Sequence, residues 1–204
     1  MGENSYAKPV ATSDSRARIM DATRIRIKQD GILGLRVADI ANDAETSITL
    51  IYKYFRDRDG LLAQVLGDMY EEFRDRQIKR VETWLAENEF ITLEQFASLT
   101  PNPAEESKPD RDFRLQMLAT ALENEELHQR IKKATNEVHA WTLKTIEVAR
   151  QKLPNEDQSF DGRYVSVIMF NMMFVFYDLL DNNKISADEY REMLVSHLRS
   201  SARK

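Results

Sequence analysis

The sequence predicts an all-α fold, and three observations lead to that prediction. Six glycines and five prolines in 204 residues leave long stretches without a helix breaker. Three of the prolines stand close together, at 101, 103 and 109, and so mark one loop. Apolar residues recur at helical spacing, and no alternating run competes as a strand. About nine helices are expected.

The composition is that of a soluble globular protein, with 42% hydrophobic and 31% charged residues. The absence of cysteine excludes disulfides, thiolate zinc sites and cysteine nucleophiles. The first residues lack the apolar core of a signal peptide. The most apolar run, 165–180, is shorter than the roughly 20 residues that a membrane span needs. A cytoplasmic protein without membrane association is therefore expected.

The N-terminal part is expected to begin with a disordered arm, residues 1–14, followed by a first helix. Ser13 to Ser15 offer N-cap candidates, and Gly31 is suited to end the helix. Its inner face carries residues at i, i+4 and i+8, namely Ile19, Thr23 and Ile27.

The segment from Val37 to Phe55 is the most informative part of the chain, because its apolar residues fit two short helices that cross at a tight turn. Ile40, Ala41 and Ala44 share the inner face of the first helix. Thr46, Ile51 and Tyr54 share the inner face of the second, which leaves Ser47, Ile48, Thr49 and Lys53 outside. A helix that presents short polar and basic side chains fits the major groove of DNA.

The turn between these two helices favours a residue with positive φ, usually glycine, but here it holds Glu45. We predict that Glu45 adopts a left-handed or otherwise strained conformation, at a cost on the order of 1 kcal/mol.

The candidate DNA-binding residues fall into two groups. Ser47 is a plausible N-cap whose free helix amides can also hold a phosphate, and exposed Ile48 could meet a thymine methyl. Simple solvation remains the alternative for the exposed side chains, and a core position remains the alternative for Tyr54. The residues expected to face bases are Ser47, Ile48, Thr49 and Lys53, and those expected to hold phosphates are Arg36, Tyr52, Tyr54 and Arg58.

The remaining elements are helical. Asp57 or Asp59 caps a long helix to about Leu85, and Thr92–Gln95 and Ser186–Glu189 read as capping boxes. Residues 100–110 form a loop. Further helices are expected over 110–122, 125–152, 161–180 and 186–202. The predicted domains are a helix-turn-helix domain over 15–60 and a larger helical domain over 61–204.

The charge is divided unevenly between these parts. Residues 1–58 hold ten Lys/Arg against eight Asp/Glu, a balance of +2, whereas the remainder carries −7 within the net −5. A mildly basic head on an acidic body indicates that only the head meets phosphate.

The run from 166 to 180 is apolar around the whole helix, so it should be buried on every side. A homodimer formed through helices at about 161–181 and 186–202 would bury it, and a fully internal core helix is the alternative. Methionines and aromatics nearby could line an adaptable apolar pocket for a small molecule, with ordinary core packing as the alternative. The candidate ligand-binding residues are Phe113, Met117, Trp141, Phe170, Met173, Phe174 and Tyr177.

Catalysis, a metal site and a cofactor are not expected. Glu125 to His128 provides one Glu-x-x-His spacing, but a di-iron bundle site needs a second such pair, which the sequence lacks. The sequence also has no phosphate-binding glycine-rich loop and no nucleophile elbow. A small helical enzyme is therefore the third-ranked interpretation.

The pattern from about Arg16 to Leu62 resembles the TetR family of transcriptional regulators. The resemblance includes Gly31, Asp39-Ile40-Ala41, Ser47, Ile51-Tyr52-x-Tyr54-Phe55 and Arg58-Asp59-x-Leu61-Leu62. Five positions depart from it. The family's usual Gly-Val in the turn is Glu45-Thr46, its lysine at the start of the fourth helix is Arg58, its capping threonine is Arg36, and an aliphatic core residue is Arg26.

The resemblance implies a two-domain helical dimer whose paired heads bind half-sites of a near-palindromic operator about 34–36 Å apart. It also implies repression that ends when a small apolar or amphipathic effector enters the C-terminal domain. The expected function is thus a ligand-responsive, dimeric DNA-binding repressor. The alternative is a helical protein-interaction module with weakened DNA binding.

Overall fold

The computed structural model describes residues 12–99, 105, 107–160, 162, 165 and 186–201. These residues form eight α-helices and one 3-10 turn, with no strand among them, so the all-α prediction is confirmed. None of the helices in these ranges is long and apolar enough to cross a membrane. The α-helices are α1 (Thr12–Asp30), α2 (Val37–Asp43), α3 (Ile48–Phe55), α4 (Arg58–Glu87), α5 (Leu93–Ser98), α6 (Lys108–Glu123), α7 (Glu125–Arg150) and α8 (Ala187–Ser201).

Most helix ends lie where the capping signals predict them. Thr92 and Gln95 form the reciprocal bonds of a capping box at α5, and Ser186 and Glu189 form the same pair of bonds at α8. Asp57 Oδ1 accepts a hydrogen bond from the Gly60 amide, so Asp57 rather than Asp59 caps α4.

Two helices begin earlier than the sequence predicts. Helix α1 starts at Thr12, so residues 12–14 of the predicted disordered arm are helical, a shift of the size expected at helix ends. Helix α6 starts at Lys108, inside the predicted loop. Ser107 caps it by accepting from the Asp110 amide, and Pro109 is tolerated in a first turn, where an amide hydrogen is not needed.

The described residues pack as two compact units, each built from two segments of the chain. Of the described residues, the first unit contains those from Thr12 to Tyr70 together with Phe113–Ile131, and the second contains those of Glu71–Asp112 and those from Lys132 onward. The predicted domain limits therefore stay a prediction.

The core of the first unit joins α1, α2, α3, the first half of α4, α6 and the start of α7. Its fully buried residues include Ile19, Ile40, Ile51 and Leu61, each 0% exposed. Ile19, Thr23 and Ile27 are all buried as predicted, and the Thr23 hydroxyl donates to the Ile19 carbonyl over 2.7 Å.

The core of the second unit is separate. Residues from the end of α4, from α5, from the second half of α7 and from α8 form it, and the Phe96 and Phe160 rings stack in it at 5.4 Å. Of the predicted helix over 161–180, Gly162 and Val165 are described and are helical. The rest of that segment, with Phe170, Met173, Phe174 and Tyr177, lies outside the described residues.

Candidate DNA-binding surface

The buried base of the helix-turn-helix is the part that the sequence predicts best. Ile40, Ala41 and Ala44 are at most 6% exposed, and Ile51 and Phe55 at most 5%. Burial on this side fixes which face of α3 remains outside. Arg36 occupies the N-cap position of α2 and makes no side-chain capping bond, as expected where a threonine is replaced.

The turn from α2 to α3 closes as a Schellman motif. The Thr46 amide donates to the Ala41 carbonyl over 2.9 Å, and the Glu45 amide donates to the Asn42 carbonyl over 3.1 Å. This motif needs a left-handed residue directly after the helix, normally glycine. Glu45 takes that place with φ 49°, so the predicted left-handed conformation is confirmed.

Ser47 is the N-cap residue of α3, and its hydroxyl accepts from the Leu50 amide over 3.1 Å. The predicted outer residues Ser47, Ile48, Thr49 and Lys53 are all exposed. Tyr52 is exposed beside them, and Ile48 remains 41% exposed although it is apolar. The outer face of α3 is thus a continuous strip of short polar, apolar and basic side chains.

The residues predicted to hold phosphates lie in different environments. Arg36 is exposed, whereas Tyr54 is half-buried, packs against the first core and meets the Phe55 ring edge-on at 6.3 Å. Arg58 is half-buried, and its Nη2 donates to the Ile32 carbonyl over 3.3 Å. A guanidinium has five donor hydrogens, so this bond is compatible with a phosphate contact.

Sequence reasoning missed the geometry of the joint between α3 and α4. Arg56 has φ 69° and ψ −56°, and the Asp57 amide donates to the Phe55 carbonyl over 2.9 Å. These values define a γ-turn of the rare, strained kind with positive φ. Gly60 is required beside it, because a Cβ at that position would lie 2.0 Å from the Phe55 carbonyl oxygen. The sequence signal for this tight turn is that only two residues, Arg56 and Asp57, separate α3 from α4.

A second missed feature is an ion pair that ties α1 to α2. Arg26 Nε and Nη2 donate to Asp43 Oδ2 and Oδ1 over 2.5 and 2.9 Å. The Arg26 guanidinium lowers the pKa of Asp43, and the Asp43 carboxylate raises the pKa of Arg26. Arg26, which stands where the family pattern has an aliphatic residue, is therefore paired with Asp43. This acidic residue lies two positions before Glu45.

The described members of the predicted ligand-binding set do not share one core. Met117 is 2% exposed and, with Phe113, belongs to the first core. Trp141 packs against the second core, and its indole Nε1 donates to Glu82 over 2.9 Å. The role of these residues in binding a ligand stays a prediction.

Comparison with known proteins agrees with this arrangement. The family model "Bacterial regulatory proteins, tetR family" matches residues 19–65, which include α2, α3 and the start of α4. The transcriptional regulator BetI of Escherichia coli (strain K12 / DH10B) is 35% identical over 66 residues, or 32% of this chain. That match spans about a third (34%) of the length of BetI.

Solved structures share the fold over almost the whole chain. A putative TetR-family regulator from Mesorhizobium loti aligns with a TM-score of 0.61 and 17% identity, covering 94% of this chain and 96% of that one. A putative transcriptional regulator from Saccharomonospora viridis, solved in complex with choline, aligns with a TM-score of 0.62 and 19% identity, covering 92% and 95%. Residues 19–65 thus match the TetR family of bacterial regulatory proteins, and the chain as a whole shares the fold of solved regulators of that family.

Proposed function

We propose that this protein is a DNA-binding transcriptional regulator that reads the major groove with α3. The observation that carries the proposal is the outer face of α3, where exposed Ser47, Ile48, Thr49 and Lys53 stand on a base formed by buried Ile51 and Phe55. Short polar and basic side chains on a helix held out from a small core suit base edges in the major groove.

The two groups of DNA contacts follow from this orientation. Ser47, Ile48, Thr49 and Lys53 face bases, with Ile48 placed to meet a thymine methyl group. A second group holds phosphates and fixes the position of the head on the duplex. That group consists of Arg36, Tyr52, Tyr54 and Arg58.

We further propose that the protein acts as a dimeric repressor on a near-palindromic operator. The dimer forms through the helices at about 161–181 and 186–202. Helix α8 supports this role through Met193, which is 63% exposed although its neighbours Leu194 and Val195 are buried. Two heads related by a two-fold axis then place α3 in successive major grooves.

A small apolar or amphipathic effector is proposed to release the operator. Two proteins with this fold have been solved in complex with organic molecules, the Saccharomonospora viridis regulator with the cation choline and Bacillus subtilis FadR with the amphipathic stearoyl-CoA. The proposal assigns the pocket to Phe113, Met117, Trp141, Phe170, Met173, Phe174 and Tyr177.

Selection of the chain on random-sequence duplexes tests the DNA-binding proposal. The expected result is a set of related sequences with two-fold symmetry and half-sites about one helical turn apart. Affinity for the selected duplex should fall steeply with salt concentration. A chain that enriches no sequence and shows no salt-dependent duplex binding would instead be a protein-interaction module.

A further inference from the structure

The C-terminal end of α3 is held by contacts from another part of the first unit. The γ-turn at Arg56 and the first turn of α4 face the α6–α7 corner, defined here as residues 123–127. A backbone conformation as strained as that of Arg56 persists where its surroundings fix it. The corner supplies two side chains that do so.

Asn124 makes the stronger of the two attachments. Its residue is 6% exposed, and its Nδ2 donates to the Asp59 carbonyl over 2.8 Å. Its Oδ1 accepts from the Leu127 amide over 3.0 Å, so the same side chain also caps α7. One buried amide therefore joins the start of α7 to the start of α4, across 65 residues of sequence.

Glu126 makes the weaker attachment. Its carboxylate forms an ion pair with the Arg56 guanidinium, at the central residue of the γ-turn. The two side chains are 49% and 73% exposed, so water and salt screen the pair and its contribution is small. Of the two attachments, the buried one at Asn124 should dominate.

We propose that Asn124 and Glu126 are positioning residues for DNA reading, acting through Asp59 and Arg56. They set the direction in which α3 leaves the joint with α4. This role rests on the proposed function of α3. It adds to that function two residues from outside the segment matched by the family model, residues 19–65.

Because α3 is long compared with the tolerance of a hydrogen bond, a small rotation at its joint with α4 displaces its N-terminal end appreciably. Eight residues at 1.5 Å each give a helix about 12 Å long, so a rotation of about 10° at the joint moves the far end by about 2 Å. Hydrogen bonds to base edges tolerate only a few tenths of an ångström. A small change at Asp59 or Arg56 is therefore enough to misplace Ser47 and Thr49.

The substitution Asn124→Asp separates positioning from helix capping. Aspartate keeps the acceptor for the Leu127 amide and is an equally good N-cap. It loses the donor to Asp59 and places a carboxylate oxygen opposite the Asp59 carbonyl. The full-length chain should fold, and affinity for the duplex selected by the unmodified chain should fall about 10-fold at fixed salt.

Two further readouts distinguish this role from a general loss of stability. The slope of log affinity against log salt concentration should stay unchanged, because no phosphate contact is removed. Affinity for an unrelated duplex of equal length should also stay unchanged, so the specificity ratio falls.

Glu126→Gln should produce a smaller loss of affinity for the selected duplex, about two-fold. The control Thr92→Ala removes the α5 cap in the second unit and should lower thermal stability without changing either affinity.

The outcomes separate the two proposals. If the unmodified chain binds no duplex, the proposed function fails and the positioning role fails with it. If the unmodified chain binds its selected duplex and Asn124→Asp leaves the specificity ratio unchanged, the positioning role alone is overturned. If Asn124→Asp loses affinity equally for the selected and the unrelated duplex, the positioning role is also overturned.

Discussion

Arg26 of α1 and Asp43 of α2 form a two-point ion pair, with Nε–Oδ2 and Nη2–Oδ1 distances of 2.5 and 2.9 Å. The side chains are 27% and 29% exposed, so the pair lies at the edge of the first core. Asp43 ends α2, where a negative charge opposes the helix dipole, and Arg26 compensates it. The pair anchors α2 two residues before the left-handed Glu45.

A double-mutant cycle should show that Arg26 and Asp43 stabilise the fold together. Arg26→Met and Asp43→Asn should each lower the thermal midpoint, and the double variant should lose less than the sum of the two losses. The coupling should shrink in 1 M salt, because the pair is partly exposed. Lys28→Met, which removes an exposed charge from the same helix, is the control. Strictly additive losses would show that the two residues do not interact.

The same pair predicts a pH dependence. The pKa of Asp43 is lowered by the hydrogen bond from Arg26, so folding favours the carboxylate form. Its stabilisation is present above the unfolded pKa of about 3.9 and is lost as the pH falls through the lowered pKa of the folded state. The difference in urea midpoint between the unmodified chain and Asp43→Asn should therefore hold from pH 7 to pH 5 and shrink at lower pH. A constant difference would contradict this assignment.

Glu45→Gly should stabilise the protein. Glycine adopts φ 49° without the steric cost of a Cβ atom, so about 1 kcal/mol should be gained, which is about 2–4 °C in the thermal midpoint of a chain of this size. Glu45→Ala is the matched control, since it removes the carboxylate but retains the Cβ. An equal gain from alanine would indicate a charge effect, and a clear drop with glycine would show that the turn is not strained.

Two glycines of α4 should respond differently to alanine. At Gly60 the new Cβ would lie 2.0 Å from the backbone oxygen of Phe55, which cannot move without distorting the γ-turn. At Gly67 it would lie 2.4 Å from the Arg130 guanidinium, which donates to the Ala63 and Gln64 carbonyls and pairs with Asp68 but can shift without any movement of the backbone. Gly60→Ala should destabilise by about 1–3 kcal/mol or more. Gly67→Ala should cost less, because alanine's helix propensity, up to about 1 kcal/mol better, offsets the shift of Arg130.

The denaturation midpoints of these two variants check the comparison. Equal losses of stability in the two variants, or a larger loss for Gly67→Ala, would contradict the inference that the backbone between α3 and α4 cannot adjust to a Cβ at Gly60.

The sequence was most informative where local signals decide the structure. Capping residues such as Thr92 and Ser186 located helix starts, because a cap satisfies amides within its own turn. The conformation of Glu45 followed from the geometry of a short turn. The outer face of α3 followed from the burial of Ile51.

Features that depend on distant partners were not predictable from the sequence. Asn124 binds Asp59 across 65 residues, and Arg26 binds Asp43 across 17, so neither pair leaves a periodic signal. Met117 illustrates the same limit for the predicted pocket. A methionine on an apolar helix face has the same pattern whether it lines a pocket or packs in a core, so the sequence alone does not decide the role of Met117, which is 2% exposed.

The affinity of Lys53→Ala for the selected duplex, compared with its affinity for an unrelated duplex, tests the central claim, that α3 reads DNA, most directly. Affinity for the selected duplex should be measured by titration over a series of salt concentrations. The matched control is Lys144→Ala, which removes an exposed lysine charge from the second unit.

Because Lys53→Ala loses a base contact, we expect it to bind the selected duplex about 10-fold or more weakly and to discriminate less well against an unrelated duplex. Lys144→Ala should bind both duplexes like the unmodified chain. Equal affinity and equal discrimination in Lys53→Ala, Lys144→Ala and the unmodified chain would contradict the central claim.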